Sequence, residues 1–328
     1  MNPLAIVCPF CPLHCDDLLV DKDGELNVAC SIASQAFAAA VEPNPIAREA
    51  VMPPPSGVVR LAASQVSLSE ARDLAGLLRT GRIELTVDET PTQAALRAAI
   101  ARDGNISATL GDVRKHANVV WSVGDCTASM PRIWERVGCD PVIVDAIGAN
   151  ELADLVYEID SGATQVDTLG NALKSAKYLA VIVSPSAFRS GEETVTAELL
   201  VRAVLRWNQA SRRAVLVSLD PAAMLRSVAG WHTNLRLPRT TGPVDVRMGT
   251  PITGAYPAEL QIGGIDPGTP LAASYVPAAV AGVHFADAII RGDATVTLPL
   301  DKITAGVNER RSGREILDAC GLFGMNEK

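Results

Sequence analysis

The sequence predicts an α/β protein with doubly wound, mainly parallel sheets, a small N-terminal cysteine lobe and an irregular C-terminal extension. Between residues 67 and 228, short apolar segments alternate with segments of helical periodicity, and parallel strands need helix-sized connections. After Arg236 the helical periodicity fades, and glycine and proline recur. We therefore expect a metal-binding lobe, a Rossmann-like α/β body and a partly β extension packed on the body, at residues 1–57, 58–235 and 236–328.

The elements of the body follow from local signals. Ser67 and Glu70 have the spacing of a capping box, and leucines follow at helical intervals. Apolar runs bounded by turn residues predict strands. Strands are expected at Ile83–Val87, Val119–Val123, Val142–Asp145, Tyr178–Val183 and Ala214–Leu219. Besides the helix after Ser67, helices are expected at Ser31–Val41, Thr92–Arg102, Thr109–His116, Glu151–Tyr157, Thr168–Ala176, Glu192–Gln209, Pro221–Val228 and Ser312–Leu322.

Four of the seven cysteines lie in the first 30 residues, with the spacing C-x2-C-x3-C-x14-C. The first three are close enough in sequence to point into one pocket. A hairpin predicted from Leu18–Val20 and Leu26–Val28, joined by a turn with Gly24, returns the fourth towards them. The predicted metal ligands are Cys8, Cys11, Cys15 and Cys30.

Several kinds of site fit this cysteine pattern. Sulfur ligation at this spacing suits an iron-sulfur cluster such as [4Fe-4S] and also a structural zinc ion. Reduced structural thiols are the alternative without a metal. His14 is an additional candidate ligand, although a single histidine beside such a site more often supports the ligands or lies at the surface.

Composition excludes several functions. The net charge is -8, with 29 basic and 37 acidic residues and no basic cluster, which argues against a nucleic-acid partner. The apolar runs are much shorter than the roughly 20 residues that span a bilayer, so no membrane association is expected. The N-terminus lacks the pattern of a secretory signal, and the cytoplasm is the expected location. Because 48% of the residues are hydrophobic, permanent protein neighbours are expected.

The N-terminal motif resembles that of a known family. Cys-Pro-Phe-Cys-x-x-x-Cys-Asp-Asp-Leu, beginning at Cys8 and followed by Cys30, is similar to the N-terminus of the pterin-binding subunit of formylmethanofuran dehydrogenase. The likeness reappears at Thr109–Val120 and Gln261–Gly268 and covers most of the chain, although only the cysteine pattern is specific by itself. This family of molybdopterin oxidoreductases carries a [4Fe-4S] cluster beside a molybdenum or tungsten pterin.

The sequence departs from the family at the redox site. Before Thr109 the family has two strand and helix units that supply a cysteine or selenocysteine ligand, whereas here only Ile83–Gly104 remains, without a cysteine. After Val119–Val123 the family tends to have Gly-Cys-Asn-Pro, which binds the pterin dinucleotide. This chain has Gly-Asp-Cys-Thr-Ala, and the carboxylate of Asp125 would repel a pyrophosphate. We therefore expect no pterin-bound tungsten or molybdenum.

The resemblance and these departures together imply a function. The chain looks like the shortened counterpart of this subunit in the bacterial formyltransferase/hydrolase complex of one-carbon metabolism, with the other subunits of that complex as partners. We expect a structural subunit that is not itself catalytic, in a complex that transfers formyl groups between tetrahydromethanopterin and a methanofuran-like carrier and releases formate. The alternatives are a redox subunit of a formylmethanofuran dehydrogenase, with iron-sulfur and pterin cofactors, and a free-standing iron-sulfur electron carrier.

Overall fold

The computed structural model describes residues 4–20, 30–43, 45–48, 57–161, 168–208, 212–303 and 309–323. In this part of the chain, the helices are α1 Ser31–Val41, α2 Leu68–Arg79, α3 Pro91–Asp103, α4 Leu110–His116, α5 Ile133–Val137, α6 Ala149–Ser161, α7 Thr168–Ser175, α8 Glu193–Trp207, α9 Ala223–Thr233 and α10 Gly313–Ala319. The strands are β1 Leu4–Ile6, β2 Leu18–Val20, β3 Val59–Ala63, β4 Ile83–Val87, β5 Val119–Val123, β6 Val142–Val144, β7 Tyr178–Val183, β8 Arg213–Val217, β9 Val244–Met248, β10 Ala258–Ile262, β11 Ala272–Val276, β12 Asp287–Ile290 and β13 Thr297–Leu300.

The chain forms two compact units, one from residues 1–89 and 220–328 and the other from residues 90–219. The first unit contains a five-stranded parallel sheet with the order β11-β10-β9-β3-β4, and the second contains a four-stranded parallel sheet with the order β6-β5-β7-β8. The expected doubly wound α/β fold is confirmed.

The sheet of the first unit joins distant parts of the sequence. Leu61 in β3 pairs with Val246 in β9, so the segment after Arg236 supplies three of the five strands. On one face, α2 and α9 pack over the sheet through buried residues that include Leu74 and Leu225. The boundaries of the lobe, body and extension, which were drawn from composition, stay a prediction. The pairing of β3 with β9 joins residues of the predicted body and of the predicted extension in one sheet.

Polar side chains fix the starts of several helices. In a capping box, an N-cap hydroxyl accepts from a main-chain N–H one turn on, while the acid or amide at that position accepts from the N-cap N–H. Such a cap typically contributes about 1 kcal/mol. Capping boxes open the described helices α2, α3, α4 and α10, at Ser67 and Glu70, Thr90 and Gln93, Thr109 and Asp112, and Ser312 and Glu315.

The second unit has a separate core. The strand β7 is apolar along its length and buried, as expected for a central parallel strand covered on both faces. Side chains from α3, α6 and α8 pack with Trp121 of β5 and Val181 of β7. Among the described residues, the helices are too short or too polar to cross a membrane.

Candidate metal centre

A short loop carries the first three cysteines. Strands β1 and β2 pair antiparallel, and Ile6 opposite Leu18 is the last residue pair before the loop. The Cys8 N–H donates to the Cys15 carbonyl at 2.8 Å, which holds the two ends of the loop together. At its tip the His14 N–H donates to the Cys11 carbonyl at 3.1 Å, and His14 has a φ of 41°. The sequence spacing thus becomes a closed loop with Cys11 at the turn.

Cys30 reaches this loop from the start of α1. It is the N-cap residue of α1, and its carbonyl accepts from Ser34 N–H at 2.9 Å. The strand predicted at Leu26–Val28, with its turn, lies outside the described residues. The described strand β2 pairs with β1.

The four cysteines are buried and electrostatically coupled. Their exposed fractions are 4% for Cys8, 5% for Cys11, 4% for Cys15 and 9% for Cys30. Burial raises the pKa of Cys8 well above its usual value, and negative charge on Cys11, Cys15 or Cys30 raises it further. Burial, with charge on Cys15 and Cys30, raises the pKa of Cys11 to about 12 against main-chain hydrogen bonds that lower it. We call these four buried thiols the cysteine cluster, because negative charge on one raises the pKa of others.

His14 belongs to the interior of the loop. Its ring is buried, and Nδ1 lies 3.0 Å from the Cys8 carbonyl oxygen. Burial lowers the pKa of His14 to about 4, with a further lowering by Arg291 that Asp293 and the Cys8 carbonyl oppose. The ring is therefore neutral near pH 7. It contacts the main chain of a predicted ligand from the inside of the loop.

Apolar contacts and a second hairpin hold the loop in place. The ring of Phe10 packs edge to face on Phe37 of α1, with centroids 4.8 Å apart. The Gly292 N–H, in the turn between β12 and β13, donates to the Pro12 carbonyl at 2.9 Å. A Cβ at Gly292 would lie 2.7 Å from the Pro12 Cβ, so only glycine allows this approach. Asp16 is exposed.

The donor set suits a thiophilic metal. All seven cysteines are present as thiols. Four buried sulfurs are the ligand type of structural zinc and of iron-sulfur clusters. Among the described His, Cys, Asp and Glu side chains, no three are positioned so that they could hold a metal ion as they stand. Metal binding would therefore require the sulfur atoms to move towards a common centre, and the four-cysteine site stays a prediction.

Sequence reasoning missed a cavity beside this loop. The cavity has a volume of about 70 Å³ and lies at the carboxyl ends of β3, β9 and β10, with Pro9 and Phe10 of the loop in its wall. Chain connections run in opposite directions from β3 and β9, so this is the switch point of the sheet, where ligands bind in open α/β folds. The sequence signal was glycine directly after two strands, at Gly249 and Gly263.

The cavity rim is tightly constructed. Gly249 has a φ of 88°, and a Cβ there would lie 2.4 Å from the Ser64 carbonyl oxygen. The buried side chain of Gln261 donates through Nε2 to the carbonyls of Gly249 and Gly263. The Tyr275 hydroxyl donates to the Gly264 carbonyl at 2.9 Å. Side chains from two strands thus hold the glycine turns in position.

In the second unit, the turn after β5 holds an ionised aspartate. Hydrogen bonds from the N–H and hydroxyl of Thr127 lower the pKa of Asp125. Burial raises the pKa of Cys126 to about 11, and its sulfur lies 3.8 Å from the Ser122 hydroxyl oxygen. The Asp125 carboxylate at the end of β5 is therefore negatively charged, which is the charge expected to repel a pyrophosphate.

Comparisons with known proteins identify a fold relative. No protein-family model matches the sequence, and no curated protein matches it. The structure is similar to a chain in the X-ray crystal structure of the formyltransferase/hydrolase complex from Methylorubrum extorquens in complex with methylofuran. The TM-score is 0.58 at 15% sequence identity, and the match covers 81% of this chain and 91% of that chain. The chain thus shares its fold with a component of a formyltransferase/hydrolase complex.

Proposed function

We propose that this chain is a non-catalytic structural subunit of a formyltransferase/hydrolase complex of one-carbon metabolism. The subunit to which it would correspond in such a complex is a shortened relative of the dehydrogenase subunit and lacks the pterin site. The complex would transfer a formyl group between tetrahydromethanopterin and a methanofuran-like carrier and release formate in the cytoplasm. The other subunits would supply the catalytic residues.

The observation that carries this proposal is the extent of the fold match. It covers 91% of a chain from a formyltransferase/hydrolase complex, so nearly the whole of that chain has a counterpart here. The cysteine motif supports the same assignment independently, because it is a feature of the sequence whereas the match is a similarity of fold. At 15% identity the match shows a shared fold only, so the role in assembly is part of the proposal.

The part of the chain that lacks a redox ligand supports a structural role. From β4 the chain runs through α3 to α4, and no cysteine occurs between Cys30 and Cys126. A molybdenum or tungsten ion that needs a thiolate from this segment would not find one. We therefore assign the four N-terminal cysteines to stabilising the loop, with iron or zinc as the metal they would hold.

Exposed apolar side chains support a role among partner subunits. Trp231, at the end of α9, is 75% exposed, and Leu235 beside it is 54% exposed. Large exposed aromatic side chains are typical anchors in protein interfaces. We assign this end of α9, defined by Trp231 and Leu235, to a contact with another subunit.

The buried cysteine cluster favours one alternative, a redox subunit of a formylmethanofuran dehydrogenase with iron-sulfur and pterin cofactors. Metal and pterin analysis of the purified complex separates the two functions. If the role is structural, we expect bound iron or zinc at close to one equivalent per four-cysteine site, and no tungsten, molybdenum or pterin. Stoichiometric tungsten or molybdenum would overturn it. A colourless protein with bound zinc would exclude both iron-sulfur alternatives, since zinc has no redox step.

A further inference from the structure

A strained glutamine lies in the wall of the cavity beside the cysteine loop. Gln65, in the turn between β3 and α2, has a φ of 52°, in the left-handed region that favours glycine. Its N–H donates to the Pro221 carbonyl at 2.9 Å, and the hydroxyl of the preceding Ser64 donates to the Thr250 carbonyl at 3.4 Å. Contacts with two other segments of the chain therefore hold the main chain of Gln65 in this conformation.

The side chain of Gln65 has no structural role that would explain this strain. Its amide forms no hydrogen bond with the described residues, and the residue is partly exposed. Residues other than glycine in the left-handed region are costly and concentrate at functional sites. Because the side chain forms part of the cavity wall, its amide is a candidate contact for a ligand.

Glu70 supplies a carboxylate to the same wall. Its Oε2 accepts from the Ser67 N–H and hydroxyl, both at 2.9 Å, whereas Oε1 has no hydrogen-bond partner in the part of the chain that the structure describes. Burial raises the pKa of Glu70, against the lowering by Ser67, and the negative charges of Asp287 and Asp73 raise it further. A cation beside this carboxylate would oppose all of these unfavourable effects on its charge.

The rest of the wall combines one further polar side chain with an apolar surface. Thr250 is exposed, and its hydroxyl forms no hydrogen bond with any described residue. The apolar part of the wall includes Phe10, Met248, Ile262 and Leu300. At roughly 10–15 Å³ for each water molecule, the volume of about 70 Å³ has room for roughly five waters or for a ligand with about five non-hydrogen atoms.

We propose that this cavity binds a small primary alkylammonium ion. Glu70, Gln65 and Thr250 each supply an oxygen acceptor, which matches the three N–H donors of a primary ammonium group. The apolar wall would take an alkyl group of about three to five carbons. The charge of Glu70 disfavours a carboxylate ligand. The site does not depend on the assembly role proposed above, because its residues all belong to the first unit.

Calorimetric titration of the purified full-length protein at pH 7 tests this site, with isobutylamine hydrochloride as the probe. This amine is protonated at that pH and has the size that the cavity admits. We expect saturable binding at one site per chain. Isobutanol has the same alkyl group without the charge, and isobutyrate has the opposite charge, so neither should bind measurably. Ammonium chloride should bind at least about tenfold more weakly, because it lacks the alkyl group.

Three results of this titration would overturn the proposal. The first is no binding of isobutylammonium, and the second is equal binding of isobutanol, which would show that the carboxylate plays no part. The third is displacement of isobutylammonium by magnesium chloride at equal ionic strength, beyond the effect of sodium chloride, which would assign the cavity to a metal ion.

A charge variant locates the ammonium group. Glu70→Gln removes the charge but keeps the capping box, because glutamine also serves at this position. Isobutylammonium should then bind at least about tenfold more weakly. The matched control is Glu315→Gln, the same change in the capping box of α10, which lies outside the cavity wall. This control should leave the affinity unchanged.

Gln65→Gly removes the amide and the strain together. The unfolding temperature should rise, because glycine adopts a positive φ freely, while isobutylammonium should bind about 3- to 10-fold more weakly. The matched control is Ala294→Gly, at a φ of 57° in the turn between β12 and β13, which should raise the unfolding temperature without changing the affinity. If Glu70→Gln does not fold, Gln65→Gly still decides. Unchanged affinity in either folded cavity variant overturns the proposal.

Discussion

Arg247 and Asp88 form an ion pair in the interior of the first unit. The Arg247 Nε and the Asp88 Oδ2 lie 2.6 Å apart, and the two side chains are 0% and 2% exposed. Arg247 is in β9, and Asp88 directly follows β4. The pair thus joins the two regions of sequence that build the five-stranded sheet.

Removing one partner of this pair should strongly destabilise the protein. Asp88→Asn leaves the Arg247 charge buried without its counter-ion, which typically costs about 3–5 kcal/mol. Denaturant unfolding measures the loss. The control is Arg60→Ala, because Arg60 and Asp245 form an exposed pair on the same sheet, expected to contribute about 0–1 kcal/mol. Equal effects of the two substitutions would contradict the difference that burial predicts.

Metal binding should depend on the cysteine cluster. Replacing Cys8 or Cys30 by serine removes one of four thiolate donors, so the bound iron or zinc measured by elemental analysis should fall to background. The unfolding temperature should also fall, because metal binding to such sites contributes to folding. Cys139→Ser is the matched control, since Cys139 is exposed and outside the cluster. Retention of the full metal content in Cys8→Ser would rule out this site.

Acid should weaken the fold through His284. The pKa of His284 falls from 6.5 in the unfolded chain to about 4 in the folded protein, chiefly through burial. The unfolded chain therefore binds the additional proton between these values. The stability that the neutral ring contributes is complete above pH 6.5 and is lost as the pH falls towards 4. Arg310 and Lys302 are the cationic groups whose fields oppose protonation.

Unfolding measurements between pH 7 and about pH 5 check this. The free energy of unfolding should fall less steeply in His284→Asn than in the unchanged protein. Circular dichroism at pH 7 verifies that the variant is folded. Parallel curves for the two proteins would show that His284 takes up its proton equally in both states.

The rim of the cavity beside the cysteine loop should not tolerate a side chain at Gly249. Gly249→Ala imposes a left-handed conformation on alanine and places its Cβ against the Ser64 carbonyl oxygen. Gly254→Ala is the matched control, because Gly254 also has a positive φ of 78° but has open space around the added Cβ. The control should cost about 1 kcal/mol, and Gly249→Ala about 1–3 kcal/mol more. Similar losses in denaturant unfolding would mean that the rim relaxes freely.

The exposed end of α9 should matter for assembly only. Trp231→Ala should weaken association with partner subunits by roughly tenfold or more, as expected for an aromatic anchor. It should leave the unfolding temperature unchanged, because Trp231 is 75% exposed. Tyr157→Ala, which truncates a side chain that is 73% exposed on α6, controls for the loss of a surface aromatic. Unaltered co-purification of Trp231→Ala would remove α9 from the interface.

Local signals identified most of the helices and several strands. The predicted bounds of α1, β4, β5 and β7 agree with the structure at both ends. The elements that were missed include β3 and the short α5. The strand β3 is Val-Arg-Leu-Ala-Ala beside a proline-rich segment, and alanine has a low strand propensity. Its position in the sheet depends on pairing with β9, which no nearby residue specifies.

The cysteine site and the cavity also differ in whether a local sequence pattern indicates them. The cysteine pattern is local, so the sequence indicated its members, and the structure adds their burial and mutual proximity. The cavity beside the cysteine loop is lined by residues from separate parts of the chain, including Phe10, Thr250 and Val280. Such a site has no motif of its own. It follows only from the order of strands in the sheet.

The pairing of β3 with β9 has a consequence for how the protein is made. Arg60 and Asp245 lie on these neighbouring strands but are 185 positions apart in the chain. The ribosome therefore completes residues 90–219, a continuous segment with its own core, before β9 exists. Domains fold as units during synthesis, so this inserted unit is expected to fold first, while β3 and β4 wait for their partner strands with unpaired edges that a chaperone would need to shield.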